Sequence, residues 1–357
     1  MNLTTRILAY LILKIFKLPL FFSNWFRVRI LGKHKSFKEL GSEPTENKIA
    51  VVAIYAGTSS LNSILRLIDE LNTSGYQTVI VMNKNNLTDE WIKAILPKTQ
   101  TILVRENIGQ DFGAYQLGIN YVRKKLGDTI EHLLIANDTL HFSKNNLIAL
   151  RPVLESNSDF NCIWVNKQTV RHAGSMLLYF DKSVLKRKSF WNFWKFYYPY
   201  LEKRQIIRKG ELRLSKVVGL DYFNPLVSLN NLKKSKKALG MSASQKSQIR
   251  AWASLTGIRE AIYINNAIDH KKHLYAVSYA MNNLHISNSL GLYLAEKLDM
   301  PLKLDLISAG LISEEDFFNY LFAQKTSIEE IKEILLLMTK RKLYGEGNIL
   351  ERILEGK

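Results

Sequence analysis

An aspartate placed just past an apolar run opens the chemistry of this chain. In LLIANDTL, Asn137 and Asp138 close such a run. A carboxylate there can hold a divalent cation, Mn²⁺ or Mg²⁺, through oxygen. A cation so held can bridge a diphosphate and balance its charge as it departs. Asn-Asp is also ordinary turn chemistry at a strand end, so the pair by itself leaves both readings open. A second segment, RENIGQDFGAYQLGI at 105–119, carries Arg105 and Asn107 before a turn and Asp111 within a helix start. Gly109 and Gly113 let main chain approach a ligand closely. The start of a helix offers unpaired N–H groups to phosphate. Asp111 can hydrogen-bond a ribose or sugar hydroxyl, or simply cap the helix.

The elements around these residues alternate. Apolar runs at 49–57, 77–83, 100–107 and 131–142 read as strands, and segments of helical period lie between them. That alternation predicts a Rossmann-like α/β domain with a mostly parallel sheet flanked by helices. Ligands of such sheets bind at the carboxyl ends of the strands, where Tyr55, Asn83, Asn107, Asn137 and Asp138 stand. Polar residues 36–48 read as a linker. Past residue 150 come two more strand-like runs, FNCIWVN and GSMLLYF, then a stretch rich in Lys, Arg and aromatics at 181–216. Residues 233–250 read as a basic loop, and the chain from 286 reads as helical. Ser313 with Asp316 and Thr326 with Glu329 look like capping-box starts. The expected division is 1–35 as an interface segment, 48–225 as the nucleotide and catalytic domain, and 226–357 as a mainly helical region.

Fifty Lys and Arg against 32 Asp and Glu give a formal charge of +18. Such a balance calls for an anionic partner: nucleic acid, anionic lipid or a phosphorylated substrate. No nucleic-acid motif is recognisable, and no nucleic-acid partner is expected. The single cysteine, Cys162, lies in an apolar run and is expected to be buried and reduced. Residues 1–31 are apolar but broken by Arg6, Lys14, Lys17, Arg27 and Arg29, so no run reaches the roughly 20 residues of a membrane span. No small-residue cleavage site follows them. On a helix, Arg6, Lys14 and Lys17 share one sector, and Phe21, Phe22, Trp25 and Phe26 follow Pro19. That pattern predicts a helix lying on an anionic membrane surface, which would make the protein cytoplasmic and peripheral on the inner face of the plasma membrane. A helix packed on the following domain is the alternative.

The motifs resemble, in order, a known set. An Arg-bearing strand, N-x-G-x-D-x-G-A and a helix, then an apolar strand ending N-D-T resemble the GT-A glycosyltransferase pattern. ENIGQDFGAY, LLIANDTLHF, HAGSMLLYF, SFWNFWKFY and GELRLSKVV resemble the rhamnan-synthesis-F-like family of polysaccharide-assembly proteins, over about residues 48–220. The resemblance implies a nucleotide-diphosphate-sugar donor and a cell-envelope polysaccharide or lipid-linked acceptor, with rhamnose suggested only by the family's label. It puts Asp138 at the metal or diphosphate carboxylate and Asp111 at a donor contact. Tyr55, Asn83, Arg105, Asn107, Gly109, Gly113 and Asn137 are the further expected donor contacts. Three departures stand out: Asn83 replaces an acidic nucleobase contact, the strand ends Asn-Asp instead of Asp-x-Asp, and NNLH (282–285) matches an N-P-x-H segment only in part. An inverting transfer also needs a base for the acceptor hydroxyl. Glu211, His172 and Asp181 are the candidates, with Glu211, in KGELRLSKVV at the start of a predicted helix after a basic loop, favoured and His172 as an acceptor or diphosphate contact. Trp191, Trp194 and Arg208 are the expected acceptor contacts, since aromatic faces stack on sugar rings and cations suit lipid diphosphate. A non-catalytic basic membrane adaptor, or a degenerate transferase, remains the alternative.

Overall fold

The structure is a computed structural model. It describes residues 36–344 apart from 56–59, 85–86, 157, 169, 220–222 and 235–239, together with Phe22, Trp25, Phe26 and Val28. The expected interface segment, 1–35, therefore lies almost wholly outside the described residues. Among the described residues no helix is long and apolar enough to cross a membrane.

The first half of the chain runs β1 (Phe37–Gly41), β2 (Lys48–Ile54), α1 (Leu61–Thr73), β3 (Gln77–Asn83), α2 (Asp89–Ile95), β4 (Thr101–Arg105), α3 (Gln110–Leu126) and β5 (His132–Asn137). It continues through β6 (Leu140–His141), α4 (Lys144–Leu154), β7 (Phe160–Cys162), β8 (Val165–Asn166), β9 (His172–Ala173) and β10 (Leu177–Asp181). The helices α5 (Lys182–Leu185), α6 (Lys188–Phe196), α7 (Lys203–Ile206) and α8 (Leu212–Val218) precede β11 (Phe223–Pro225), and a π-helical turn, Ile207–Glu211, joins α7 to α8. The eight-stranded sheet has the order β1-β4-β3-β2-β5-β10-β7-β11. Strands β4, β3, β2 and β5 are mutually parallel, whereas β10 runs antiparallel to both β5 and β7.

Continuous burial along β2 shows why its sequence is an unbroken apolar run. Ala50, Val52 and Ile54 point into the core beneath α1 and α2. Ile49, Val51 and Ala53 point into the opposite core, beneath α3. Both faces are covered, so neither needs polar residues. The helices change faces between β2 and β5, which makes that seam the topological switch point of the sheet. Residues expected to form a linker are partly a strand: β1 pairs antiparallel with β4 along its whole length. It is an edge strand with mostly exposed side chains, held by main-chain pairing, so it carries no apolar signature.

The second half adds α9 (Leu229–Lys234), α10 (Ala243–Thr256), α11 (Ile258–Asp269), α12 (His273–Asn283), α13 (Ile286–Leu298), β12 (Leu302–Lys303), α14 (Asp305–Ser308), α15 (Glu314–Ala323) and α16 (Ile328–Tyr344). These helices share a core with the sheet: Ile249, Ala253, Ile264, Ala276, Leu290 and Leu294 belong to the same buried cluster as Val52 and Ile80. The expected boundary at 225/226 thus falls inside one continuous core. The basic loop expected at 233–250 gives way to α10 from Ala243, capped by Ser242 and Gln245 in a capping box. Helix α16 starts one residue later than expected, with Ser327 Oγ accepting from Glu330 N. That leaves the Glu330 carboxylate for Arg66 on α1, whose guanidinium donates to both its oxygens at 2.6 and 2.9 Å.

Helix α3 must lie close on the sheet, and Gly118 is the point of nearest approach. An added Cβ there would lie 2.4 Å from Val51 Cγ1 and 3.0 Å from Val81 Cγ2. Gly118→Ala gains helix propensity of roughly 1 kcal/mol but meets two branched side chains fixed in adjacent strands. Overpacking should win, with a net loss of about 1–2 kcal/mol and a lower melting temperature. An unchanged or raised melting temperature would show that the sheet yields at this point.

Candidate functional site at the β2–β5 seam

Asp138 follows β5 and is 1% exposed. Its main-chain N–H donates to Ala53 O at 3.2 Å, and its Oδ2 accepts from Tyr55 N at 2.8 Å. The carboxylate is therefore fastened across the switch point by the chain that leaves β2. Asn137 connects it to α3. Its Oδ1 accepts from Thr139 Oγ1 at 2.6 Å, and its Nδ2 donates to Asp111 Oδ2 at 2.9 Å. The Asp111 carboxyl is pushed up to about 7, first by burial and then by the negative charges of Asp138 and Glu211, while Lys303 and Lys203 oppose the rise. Three carboxyl groups and two ammonium groups thus share one electrostatic neighbourhood.

Glu211 does not start a helix, contrary to expectation. It ends the π-helical turn within the helical stretch from α7 to α8. The turn rides over Phe112: a Cβ on Gly210 would lie 2.8 Å from Phe112 Cδ1. Turns of this kind often mark functional positions in helices. Glu211 Oε1 accepts from Ser175 Oγ at 2.7 Å, and Oε2 lies 3.8 Å from His172 Nε2. His172 Nδ1 lies 2.7 Å from Val170 O, an acceptor only, so Nδ1 carries a proton. Asn166 Nδ2 sits 3.4 Å from His172 Nε2 and 3.4 Å from His285 Nε2, while its Oδ1 accepts from Ile286 N at 3.0 Å. Burial, together with Lys303 and His172, pushes His285 down to about 3, so its ring is neutral.

The structure brings together Tyr55, Asp111, Asn137, Asp138, His172 and Glu211, which the sequence nominated. It separates others. Asp181 lies opposite His132, at the far end of β10 from Leu177 opposite Ala136. Its carboxylate faces Tyr179 Oη and His132 Nδ1, so it sits at the amino end of the parallel strands, away from the site. Trp194 is fully buried and stacks on Phe112 at 5.9 Å. Trp191 donates its Nε1 proton to Leu185 O and lies beneath the Arg123 guanidinium at 4.4 Å. Both tryptophans belong to the packing face of α6, so neither is an acceptor platform. Arg208 is exposed on the π-helical turn.

The glycines of the α3 start accommodate protein, not ligand. Gly109 is left-handed at φ +82°, and Pro199 lies where its Cβ would be. A Cβ on Gly113 would meet Ile108 O at 2.0 Å. Arg105 is likewise occupied, donating from Nε to Glu106 O and from Nη2 to Ile108 O, both at 2.7 Å. It shapes the turn that presents Asp111. Its Nη1, Asn83 Oδ1 and Asn107 Oδ1 are buried without a hydrogen-bond partner, a deficit of the kind a bound ligand removes. Asn83 and Arg105 are register partners at the ends of β3 and β4.

The sequence reading missed Asn166, Ser175, His285 and Lys303, and held Lys203 only as one of the cations of the aromatic stretch at 181–216. Only His285 left a trace, in the partial NNLH match. Lys303 arrives by the pairing of β12 with β6, Lys303 opposite Leu140, reinforced by Leu304 N donating to Thr139 O at 2.9 Å. It contacts Asp305 at 2.7 Å. Among the described residues no group of three or more His, Cys, Asp or Glu could hold a metal ion. The donor set instead fits a Mg²⁺-type ion, which takes one or two carboxylates and completes its shell with water and substrate phosphate. The mutual repulsion of Asp111 and Asp138 is what such a cation would relieve.

The raised Asp111 carboxyl has a consequence for stability. Its ordinary value is about 4, so the unfolded chain ionises first. Its contribution to stability is full below about pH 4 and is lost as pH rises towards about 7. Asp111→Asn keeps the oxygen that accepts from Asn137 and removes the charge. The variant should be more stable than the parent by roughly 1–3 kcal/mol near pH 8, with the gap shrinking towards pH 5. Chemical denaturation at the two pH values measures this, and a gap independent of pH would contradict the clustering of charge.

No family model matches the chain. An uncharacterized protein of Sinorhizobium fredii, y4gN, is 27% identical over 181 residues, covering 49% of this chain and 47% of that protein. The chain thus spans about half the length of the curated relative it matches. Among solved structures, 4-diphosphocytidyl-2C-methyl-D-erythritol synthase from Anaerococcus prevotii is similar at a TM-score of 0.27 and 15% identity, over 46% of this chain and 84% of that one.

Proposed function

We propose that this chain is a glycosyltransferase of GT-A-like type, moving a sugar from a nucleotide-diphosphate donor to a cell-surface polysaccharide or its lipid-linked precursor. The observation that carries the reading is Asp138, pinned at the switch point of a mostly parallel sheet with Asp111 and Glu211 beside it. Ligands of such sheets bind there. In this account the donor lies along the carboxyl ends of β2–β5, and Asn83 and Asn107 supply buried acceptors that otherwise lack partners.

The departing diphosphate needs positive charge. Lys303 and Lys203 supply some of it, and a divalent cation on Asp138, when bound, would supply the rest as a Lewis acid. Glu211 takes the proton of the acceptor hydroxyl as the oxygen bonds to the anomeric carbon and the bond to diphosphate breaks. Ser175 holds one oxygen of Glu211, and Asn166 lies against the neighbouring His172 at its Nε2. Acceptor specificity then rests on the rim of this cleft and not on Trp191 or Trp194.

The test begins with thermal shifts by UDP, dTDP, GDP and CMP, with and without Mn²⁺ or Mg²⁺, and proceeds to turnover with extracted lipid-linked acceptor. One nucleotide should stabilise the protein. Asp138→Ala should lower turnover ~100-fold or more, and Glu211→Gln should lower it comparably while leaving nucleotide binding intact. Asp181→Ala, at the far end of the sheet, should leave turnover unchanged. Stabilisation by a nucleotide without turnover of any donor would favour a degenerate transferase. No nucleotide response at all would sink the proposal.

A further inference from the structure

Among the described residues, helices α11 and α12 leave one face without a packing partner. Ile264, Ala267 and Ile268 on α11, and Ala276, Val277 and Ala280 on α12, are buried in the core. On the outward side Ile258 is 82% exposed, Ile262 55% and Tyr275 54%, and Leu255 at the end of α10 is 71% exposed. Scattered apolar side chains on a surface are ordinary, but some of these share one site. Ile258, Ile262 and Tyr263 line one shallow depression with Arg259. Tyr263 stacks on Tyr279 at 5.3 Å, and Tyr275 stands one helical turn before Tyr279. Ile258 and Ile262 are likewise one turn apart.

The rim of this face is mostly cationic, with Glu260 beside Tyr279 as an acidic member. Arg259 lies over the Tyr263 ring at 5.9 Å. Lys271 and Lys272 line a neighbouring depression with Tyr275 and Gly240. Asp269, the acidic residue ending α11, is paired with Arg250 at 2.6 Å. Branched aliphatic side chains, tyrosines and a ring of lysine and arginine are the composition of a surface that seats in a lipid headgroup layer. A second copy of this chain would bring the same positive rim against it and be repelled. Nucleic acid would use the cations but gain nothing from exposed isoleucine.

We propose that the α11–α12 face docks on an anionic lipid bilayer, with Leu255, Ile258 and Ile262 entering the interface and Lys271, Lys272 and Arg259 meeting the headgroups. This rests on the surface itself and stands independently of the transferase reading. The position is informative for either activity. Trp252, one turn before Leu255 on α10, packs its ring on that of His285 at 6.3 Å. The docking face therefore begins about one helical turn from a residue that contacts the seam site. A bilayer held there would present lipid-linked molecules close to the cleft.

The experiment uses the full chain in co-flotation with vesicles of phosphatidylcholine alone or mixed with phosphatidylglycerol. Wild type should float with the mixed vesicles and not with the neutral ones. Ile258→Glu/Ile262→Glu and Lys271→Glu/Lys272→Glu, all at exposed positions, should each weaken flotation roughly tenfold or more without lowering the melting temperature. Residues 1–31 carry their own expected affinity, so a local probe is needed. Cys162 is buried, and Ile258→Cys gives one accessible thiol for an environment-sensitive fluorophore. Its emission should shift to the blue on mixed vesicles and revert at high salt. The proposal is overturned if the probe does not respond to vesicles, or if both double variants float like wild type. A concentration-dependent dimer lost in Ile258→Glu/Ile262→Glu, or a probe responding to RNA instead of lipid, would overturn it equally.

Discussion

Repulsion among carboxyl groups at one end of a sheet is the constraint around which this molecule is arranged. Asp138 cannot turn away, because Tyr55 N–H holds its Oδ2 and its own main chain is tied to β2. Asp111 cannot turn away either, because Arg105 builds the turn beneath it and Asn137 binds its side chain. Glu211 is held by Ser175. The result is an Asp111 carboxyl pushed up to about 7 by burial and by its neighbours. A fold that keeps such a cluster charged forgoes stability. Under the proposed function, what is gained is a place at the sheet's switch point for a cation and the diphosphate it would bridge.

The second half of the chain completes that site. Strand β12 pairs with β6, shortly after Asp138, and sets Lys303 opposite Leu140, where its charge acts on Asp111. His285 opens α13 and meets Asn166, which in turn meets His172. Arg66 and Glu330 lock the last described helix onto the first helix of the sheet. These contacts join residues far apart in sequence, so the cleft cannot assemble until both halves have folded together. One continuous core beneath the sheet is consistent with that.

Much of the sheet was legible because parallel strands buried on both faces leave unbroken apolar runs with polar residues at their ends. That rule led to β2 through β5, Asp138 and Asn137, while Asp111 came from the glycine-bearing turn into α3. It failed where stability comes from something other than apolar burial. Strand β1 is an edge held by main-chain pairing, so 37–41 resembled a linker. The π-helical turn leaves no mark on a helical pattern, so Glu211 was placed at a helix start. Aromatic richness has no direction: Trp191 and Trp194 look the same in sequence whether they stack on a sugar or, as found, on Arg123 and Phe112. Lys303 and His285 depend on long-range pairing, which spacing within one segment does not encode.

The central claim is that Asp111, Asp138 and Glu211 form one charged cluster able to take up a cation with a nucleoside diphosphate. The direct measurement is the titration of aspartate carboxyls by ¹³C NMR, with Asp111 assigned through Asp111→Asn. In the free protein Asp111 should titrate near 7, and it should fall by a unit or more, about 1.4 kcal/mol, when Mg²⁺ and the binding nucleoside diphosphate are added together. An Asp111 that titrates near 4 in the free protein, or one indifferent to saturating ligand, would contradict the account.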